Sequence, residues 1–226
     1  MLGLVGEISI LVAFVATVLS AFAFFRAAQR EATEQRWKPV GRSAWYGMTG
    51  ALVLASGILM YLILNHQYQY AYIYQTSSND LPLHYLISTF WAGQEGSIML
   101  WALMMCGVGI ALIKMVKPRY ETAVMAVVGF SQAFLLSMVL GLHLGPAEIG
   151  SSPFKSLTEA FPEAPIFQQN PDFIPSDGTG LNDLLQNPWM TIHPPVLFVG
   201  FSAMVVPFAF RSEERRVGKE CTLRCR

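Results

Sequence analysis

G-T-G-L-N-D-L-L-Q-N-P-W-M-T-I-H-P-P-V-L-F-V-G-F-S-A-M-V-V-P-F-A-F, residues 178–210, joins a polar, turn-rich half to an apolar half long enough to enter a bilayer. His193 stands at the junction, followed by two prolines. Proline is favoured at the first position of a helix, where its missing N–H would be unpaired anyway. Pro194 and Pro195 therefore predict a helix start, with His193 at the mouth of a membrane helix.

The rest of the chain agrees with a membrane setting. It has 226 residues, 53% hydrophobic, 13% charged, with no net charge. Soluble domains carry about 25% charged residues, so charge is depleted roughly twofold. Apolar runs predict spans at about 2–25, 45–64, 97–115, 121–144 and 194–210. The fold class is thus all-α, a multi-spanning membrane helix bundle of about five transmembrane helices. Neutrality argues against a nucleic-acid partner. Three cysteines, without zinc or C-x-x-C-H spacing, give neither a disulfide framework nor covalent haem attachment.

Between the spans, residues 26–43 read as a polar loop. The segments 65–96 and 145–193 read as extramembrane, the second broken by many prolines and glycines. Tyrosines recur at every second residue from Tyr68 to Tyr74, which predicts an extended strand lying at the headgroup level. Fourteen of the fifteen Lys and Arg residues fall on one side if 26–43 is cytoplasmic. The positive-inside rule then puts the N-terminus, both extramembrane segments and His193 outside. Residues 211–226 carry six basic residues and no apolar periodicity. They read as foreign to a span cut short at 210, a non-native tail.

Several polar residues have two readings. An imidazole at a water–lipid boundary can ligate a metal or haem iron, or can simply cap or hydrogen-bond. Trp189, four residues before His193, shares its face on a helix and is either a stacking wall or an interfacial anchor. In W-A-G-Q-E-G-S (91–97), Gly93 and Gly96 allow close backbone approach. Gln94 and Glu95 pair with each other or with a partner, or Glu95 answers the helix dipole. Glu7 either reaches the interface or is a buried proton carrier. His143 is either a second interfacial ligand or structural, and His66 and His84 lack metal-ligand spacing.

The two stretches W-A-G-Q-E-G-S-I-M-L-W (91–101) and G-L-N-D-L-L-Q-N-P-W-M-T-I-H-P-P-V-L-F-V-G (180–200) closely resemble the N-terminal part of CcmF-type cytochrome c biogenesis proteins. These belong to a wider haem-handling family that includes CcsA and CcmC. The resemblance runs over about residues 1–210. It implies a haem lyase component in the cytoplasmic (inner) membrane of a bacterium. Such a component takes haem b from a haem chaperone. With other maturation subunits, it helps attach the haem to apocytochrome c outside the membrane.

By the same resemblance, His193 in its H-P-P context is a haem axial ligand, with Trp189, Pro194 and Pro195 around it. Trp91, Gly93, Gln94, Glu95 and Gly96 form a structural or partner-docking motif. The Trp-rich W-W-D segment of the family, its second external histidine and its membrane-embedded histidines do not occur here. At most half of a haem site is therefore expected, and no activity from this stretch alone. Two other classes stay open: an ion- or proton-translocating transporter, with Ser131 and Gln132 as its central polar residues, and a non-catalytic scaffold subunit.

Overall fold

The computed structural model describes the backbone of residues 1–226 except 30, 145–146, 171–172 and 225–226; side chains are further described except at 31–32, 142–149 and 213–224. Five helices are long and apolar enough to cross a membrane: α1 (Leu2–Gln29), α2 (Glu31–Leu64), α5 (Gln94–Met115), α6 (Pro118–Leu140) and α9 (Pro188–Arg224). The chain is a multi-pass membrane protein, as the apolar runs predict. Between these helices lie four short ones: α3 (Ala71–Thr76), α4 (Leu83–Ser88), α7 (Leu157–Ala160) and α8 (Pro165–Gln169). The described strands form a single hairpin, Leu142–Leu144 with Ala147–Ile149, so the bundle is essentially all helix.

Small residues hold the bundle together. In α1 the buried face runs Gly6, Ser9, Ala13, Thr17, Ser20, Ala23 and Ala27, spaced three or four apart. Lipid supplies no hydrophobic drive between helices, so close backbone approach and interhelical hydrogen bonds do that work. The Ser20 hydroxyl donates to the Gly41 carbonyl of α2 at 2.9 Å. On α5, Gly109 lies directly beneath the Trp45 ring of α2, where a Cβ would collide. Thr17, Thr49 and Ser56 return their hydroxyls to carbonyls one turn back, which keeps them satisfied away from water.

The expected loop at 26–43 is not a loop. Helix α1 continues to Gln29 and α2 begins at Glu31, so both helices run on well past the apolar runs. The extension is held by an ion-pair cluster. Arg42 grips Glu121 of α6 with two bonds of 2.6 Å, and Lys38 adds a third contact at 3.1 Å. Glu121 is only 1% exposed, and three hydrogen-bonding contacts compensate its burial.

At the opposite end a cap covers the bundle, assembled from the 65–93 and 141–187 segments. Its backbone is stitched across both. Ala71 N–H donates to the Lys155 carbonyl at 3.0 Å and Leu157 N–H to that of Gln69 at 2.8 Å. Thr179 N–H donates to Tyr74 at 2.8 Å. The extended tyrosine belt is also corrected. Only Tyr70 sits in an isolated bridge, with Ser156, and the chain turns into α3 one residue later. Tyr68, Tyr70 and Tyr72 are buried, and their hydroxyls find partners within the cap or at the start of α1. The Tyr70 hydroxyl accepts from Gly3 N–H at 3.0 Å, tying the cap to the start of α1.

Candidate functional site

The helix carrying His193 starts earlier than the paired prolines suggest. Asn187 caps it, its side-chain oxygen accepting from the N–H groups of Trp189 (3.0 Å) and Met190 (3.2 Å), and Pro188 takes the first helical position. Helix α9 then runs unbroken through Pro194 and Pro195. The Asn-Pro pair outranks Pro-Pro as a start signal because it supplies a cap as well as a fixed φ. The membrane-crossing part becomes Pro188–Ser212, 25 residues, enough for a full span. The reason for treating 210 as an abrupt stop disappears with that.

Prolines inside a helix leave a carbonyl four residues back without its usual donor. For Pro194 that carbonyl belongs to Met190. It is taken by the indole N–H of Trp91, at 2.8 Å. The two conspicuous motifs of the sequence therefore meet at one bond. A second contact lies a few turns along: the Trp101 ring stacks on Phe198 (centroids 6.1 Å, 24°) and touches Phe201 at 5.4 Å. Sequence reading singled out neither Trp101 nor the Met190 carbonyl. The signal for the carbonyl was present, namely a proline four residues after it.

The W-A-G-Q-E-G-S stretch is the N-terminus of α5, with Gly93 as its cap residue. Tyr72 is the keystone beneath it. Its hydroxyl faces the carbonyls of Thr89 (2.8 Å) and Phe90 (3.0 Å) and accepts from Gly93 N–H (3.2 Å). Burial raises the Tyr72 pKa above the ordinary phenol range. Gly96 is required sterically, since a Cβ there would run into the Phe90 carbonyl and the Tyr72 hydroxyl. Glu95 lies in the first turn of α5, where a carboxylate suits the helix dipole. Gln94 is exposed, and no hydrogen bond joins it to Glu95.

Helix α9 packs on α5 and α6 through Phe198, Ser202, Val205 and Ala209. Its other face is bare. Trp189 (74% exposed), His193, Val196 (64% exposed) and Gly200 follow one another at helical spacing along it. Trp189 and His193 do share a face, as their spacing predicts. His193 is exposed at the cap end of the span and has no hydrogen-bond or ion-pair partner among the described residues. Pro194 and Pro195 are half-buried, turned toward the bundle.

The other histidines are accounted for differently. His66 meets the Tyr68 hydroxyl at 3.0 Å, and His84 lies against Tyr85 with centroids 4.1 Å apart. The His143 side chain lies outside the described residues. No group of three or more His, Cys, Asp or Glu forms a metal cluster among the described residues. Gln132, central in the bundle, donates to the Ala102 carbonyl at 3.0 Å and is fully buried, which suits a structural strut between α6 and α5.

No family model matches the chain. Among curated proteins it is similar to the cytochrome c-type biogenesis protein CcmF of Pseudomonas aeruginosa. That match is 32% identical over 181 residues, covering 78% of this chain and 24% of that protein. CcmF of Escherichia coli is 30% identical over 155 residues, covering 68% and 21%. The probable cytochrome c-type biogenesis protein NrfE of the same organism is 28% identical over 193 residues, covering 84% and 30%. The fold matches a solved structure titled Cytochrome c Heme Lyase CcmF, with a TM-score of 0.71 at 24% identity, over 93% of this chain and 30% of that one. The chain spans about a quarter of the length of the curated relatives it matches, and it belongs to the CcmF-type cytochrome c biogenesis family.

Proposed function

We propose that this chain is the part of a haem-handling membrane protein that presents one axial imidazole, that of His193, to haem during cytochrome c maturation. The observation that carries the reading is an exposed, unpartnered imidazole on a bare apolar helix face. A polar ring with an open nitrogen, flanked by Trp189 and Val196, offers what a porphyrin needs: a ligand for iron and an apolar surface for the macrocycle. The Trp91–Met190 bond holds this part of α9 in place, so the imidazole is presented from a rigid support.

In this reading haem b is cargo, received from a haem chaperone and passed to apocytochrome c with other maturation subunits. The cap and His193 face the periplasmic side of a bacterial inner membrane. The asymmetry of the charges supports that sidedness, because the basic residues at 26–42 and 114–119 lie at the end away from the cap. A second axial ligand comes from outside the described residues, and the residues after Ser212 take no part in haem handling.

The test is haem content of the full-length protein purified from membranes. His193→Gly is expected to lose most co-purifying haem, and added imidazole to restore its Soret spectrum. Unchanged haem and an unchanged spectrum in His193→Gly overturn the assignment.

A further inference from the structure

Away from α9, the cap contains an apolar pocket of about 340 Å³. Leu157 of α7, Phe161 just after that helix, Ile166 and Phe167 of α8, Phe173 and Tyr74 line it. The volume falls at the lower end of the range for ligand pockets, about 300–1,000 Å³. Its rim is unusual for a surface outside the membrane-spanning helices. Phe161, Ile166 and Phe173 are all exposed there, with Ile174 beside them. Such a cluster on an extramembrane layer marks a binding surface more often than a bare wall.

The charge of the cap that carries it narrows the occupant. Residues 65–93 and 141–187, which build the cap, hold seven Asp and Glu residues and one Lys. Five of the acidic side chains, Asp80, Glu159, Glu163, Asp177 and Asp183, are described as exposed. Glu159 is engaged in capping α7, and Asp177 accepts from Asn79 N–H at 2.9 Å. Glu163 adjoins Ala164 in the pocket wall, and its carboxylate has no partner among the described residues. An acidic cap repels anionic lipid headgroups and acidic peptides. It attracts lysine- and arginine-rich chains.

We propose that this pocket is a docking site for a basic peptide segment of a partner protein, which inserts one aromatic or large aliphatic side chain between α7 and α8. The acidic cap, with Glu163 next to the pocket wall, steers the segment, and the apolar side chain supplies the affinity. The surface is separate from the α9 face and does not depend on what His193 binds.

The experiment uses the full chain in nanodiscs of zwitterionic phosphatidylcholine and a fluorescently labelled peptide in which one phenylalanine is flanked by three lysines on each side. Saturable binding is expected. Replacing the peptide phenylalanine by serine should weaken it at least about tenfold, the scale set by burying one aromatic side chain. Raising the salt should weaken it further. Glu163→Gln and Phe173→Ser should each lower affinity, and the first touches no fold contact. Equal binding of the serine peptide, equal binding of a glutamate-flanked peptide, or no saturable binding overturns the proposal. In those cases the pocket is respectively a mere charged surface, a merely sticky one, or filled by another part of the protein.

Discussion

Met190 and Trp91 show how a single proline can be used to join two elements. Pro194 removes a helical hydrogen bond and the freed carbonyl takes an indole N–H from another helix's approach segment. The claim is testable by a cycle. Trp91→Phe should cost about 1 kcal/mol of stability, the usual worth of one such bond. In a Pro194→Ala background the same change should cost much less, since residue 194 then satisfies Met190 itself. Thermal unfolding in detergent of the four proteins reads this out, and equal costs in both backgrounds sink the linkage.

Tyr68 supplies a second test among single residues. Burial, then the nearby Asp177 charge, pushes its phenol up to about 12 from an ordinary 10.0. A raised folded-state value means that its contribution to stability is intact below pH 10. It is lost as pH rises through the range from 10 to 12. Asp177 works in the other direction. Its carboxylate is lowered, first by the Asn79 N–H, so its contribution is present above the ordinary carboxylate range and lost on acidification. Tyr68→Phe should remove a step near pH 12 from the tyrosinate absorbance titration and reduce the loss of stability above pH 10. An unaltered titration would show that Tyr68 is not the shifted group.

Among the elements, the junction of α2 and α6 is the most sensitive to charge. Glu121 is buried and Arg42 provides two of its contacts. Removing the guanidinium leaves a buried carboxylate with Lys38 alone, so Arg42→Ala should destabilise by about 2–3 kcal/mol, a little under the full loss of a buried partner. The double change Arg42→Met, Glu121→Leu should recover most of that loss. Failure of the double variant to recover, measured by thermal midpoint in detergent, argues that the helices need the ion pair for their packing angle.

The same element explains why boundaries were hard to read. Residues 31–43 are polar and basic, which by composition alone is a loop. They are helical because Arg42 and Lys38 find their counter-charge on α6, far away in the chain. The tyrosine segment misled for a related reason. A period of two looks like a strand, yet the backbone at Gln69, Ala71 and Tyr74 bonds to Leu157, Lys155 and Thr179 in the cap's other half, and a short helix serves that better. The α9 start was legible in principle, because Asn187-Pro188 is a stronger signal than Pro194-Pro195 once capping is weighed.

For the whole molecule, the number of spans and the grouping of polar segments were legible, because twenty apolar residues in a row have few other uses. The contact of W-A-G-Q-E-G-S with the α9 region was not legible, though both stretches carried the resemblance. No periodicity relates Trp91 to Met190, and the contact depends on tertiary structure. The asymmetry of the basic residues forecasts the sidedness directly. With Cys106 changed to alanine and the tail cysteines to serine, a cysteine at Asp80 should react with a membrane-impermeant maleimide in intact spheroplasts. One at Arg36 should react only after lysis. The opposite pattern would turn the molecule over and place the cap in the cytoplasm.

The cap also has a timetable. Its first half leaves the ribosome after α2, but the groups that bury Tyr70 and receive Ala71 N–H come from Lys155 and Ser156, beyond α6. Until those arrive, the aromatic residues of the first half have no roof and the Gly3–Tyr70 link has no backing. The nascent chain must therefore thread two more helices across the bilayer while this half-built lobe waits, which makes its closure a late event in biogenesis.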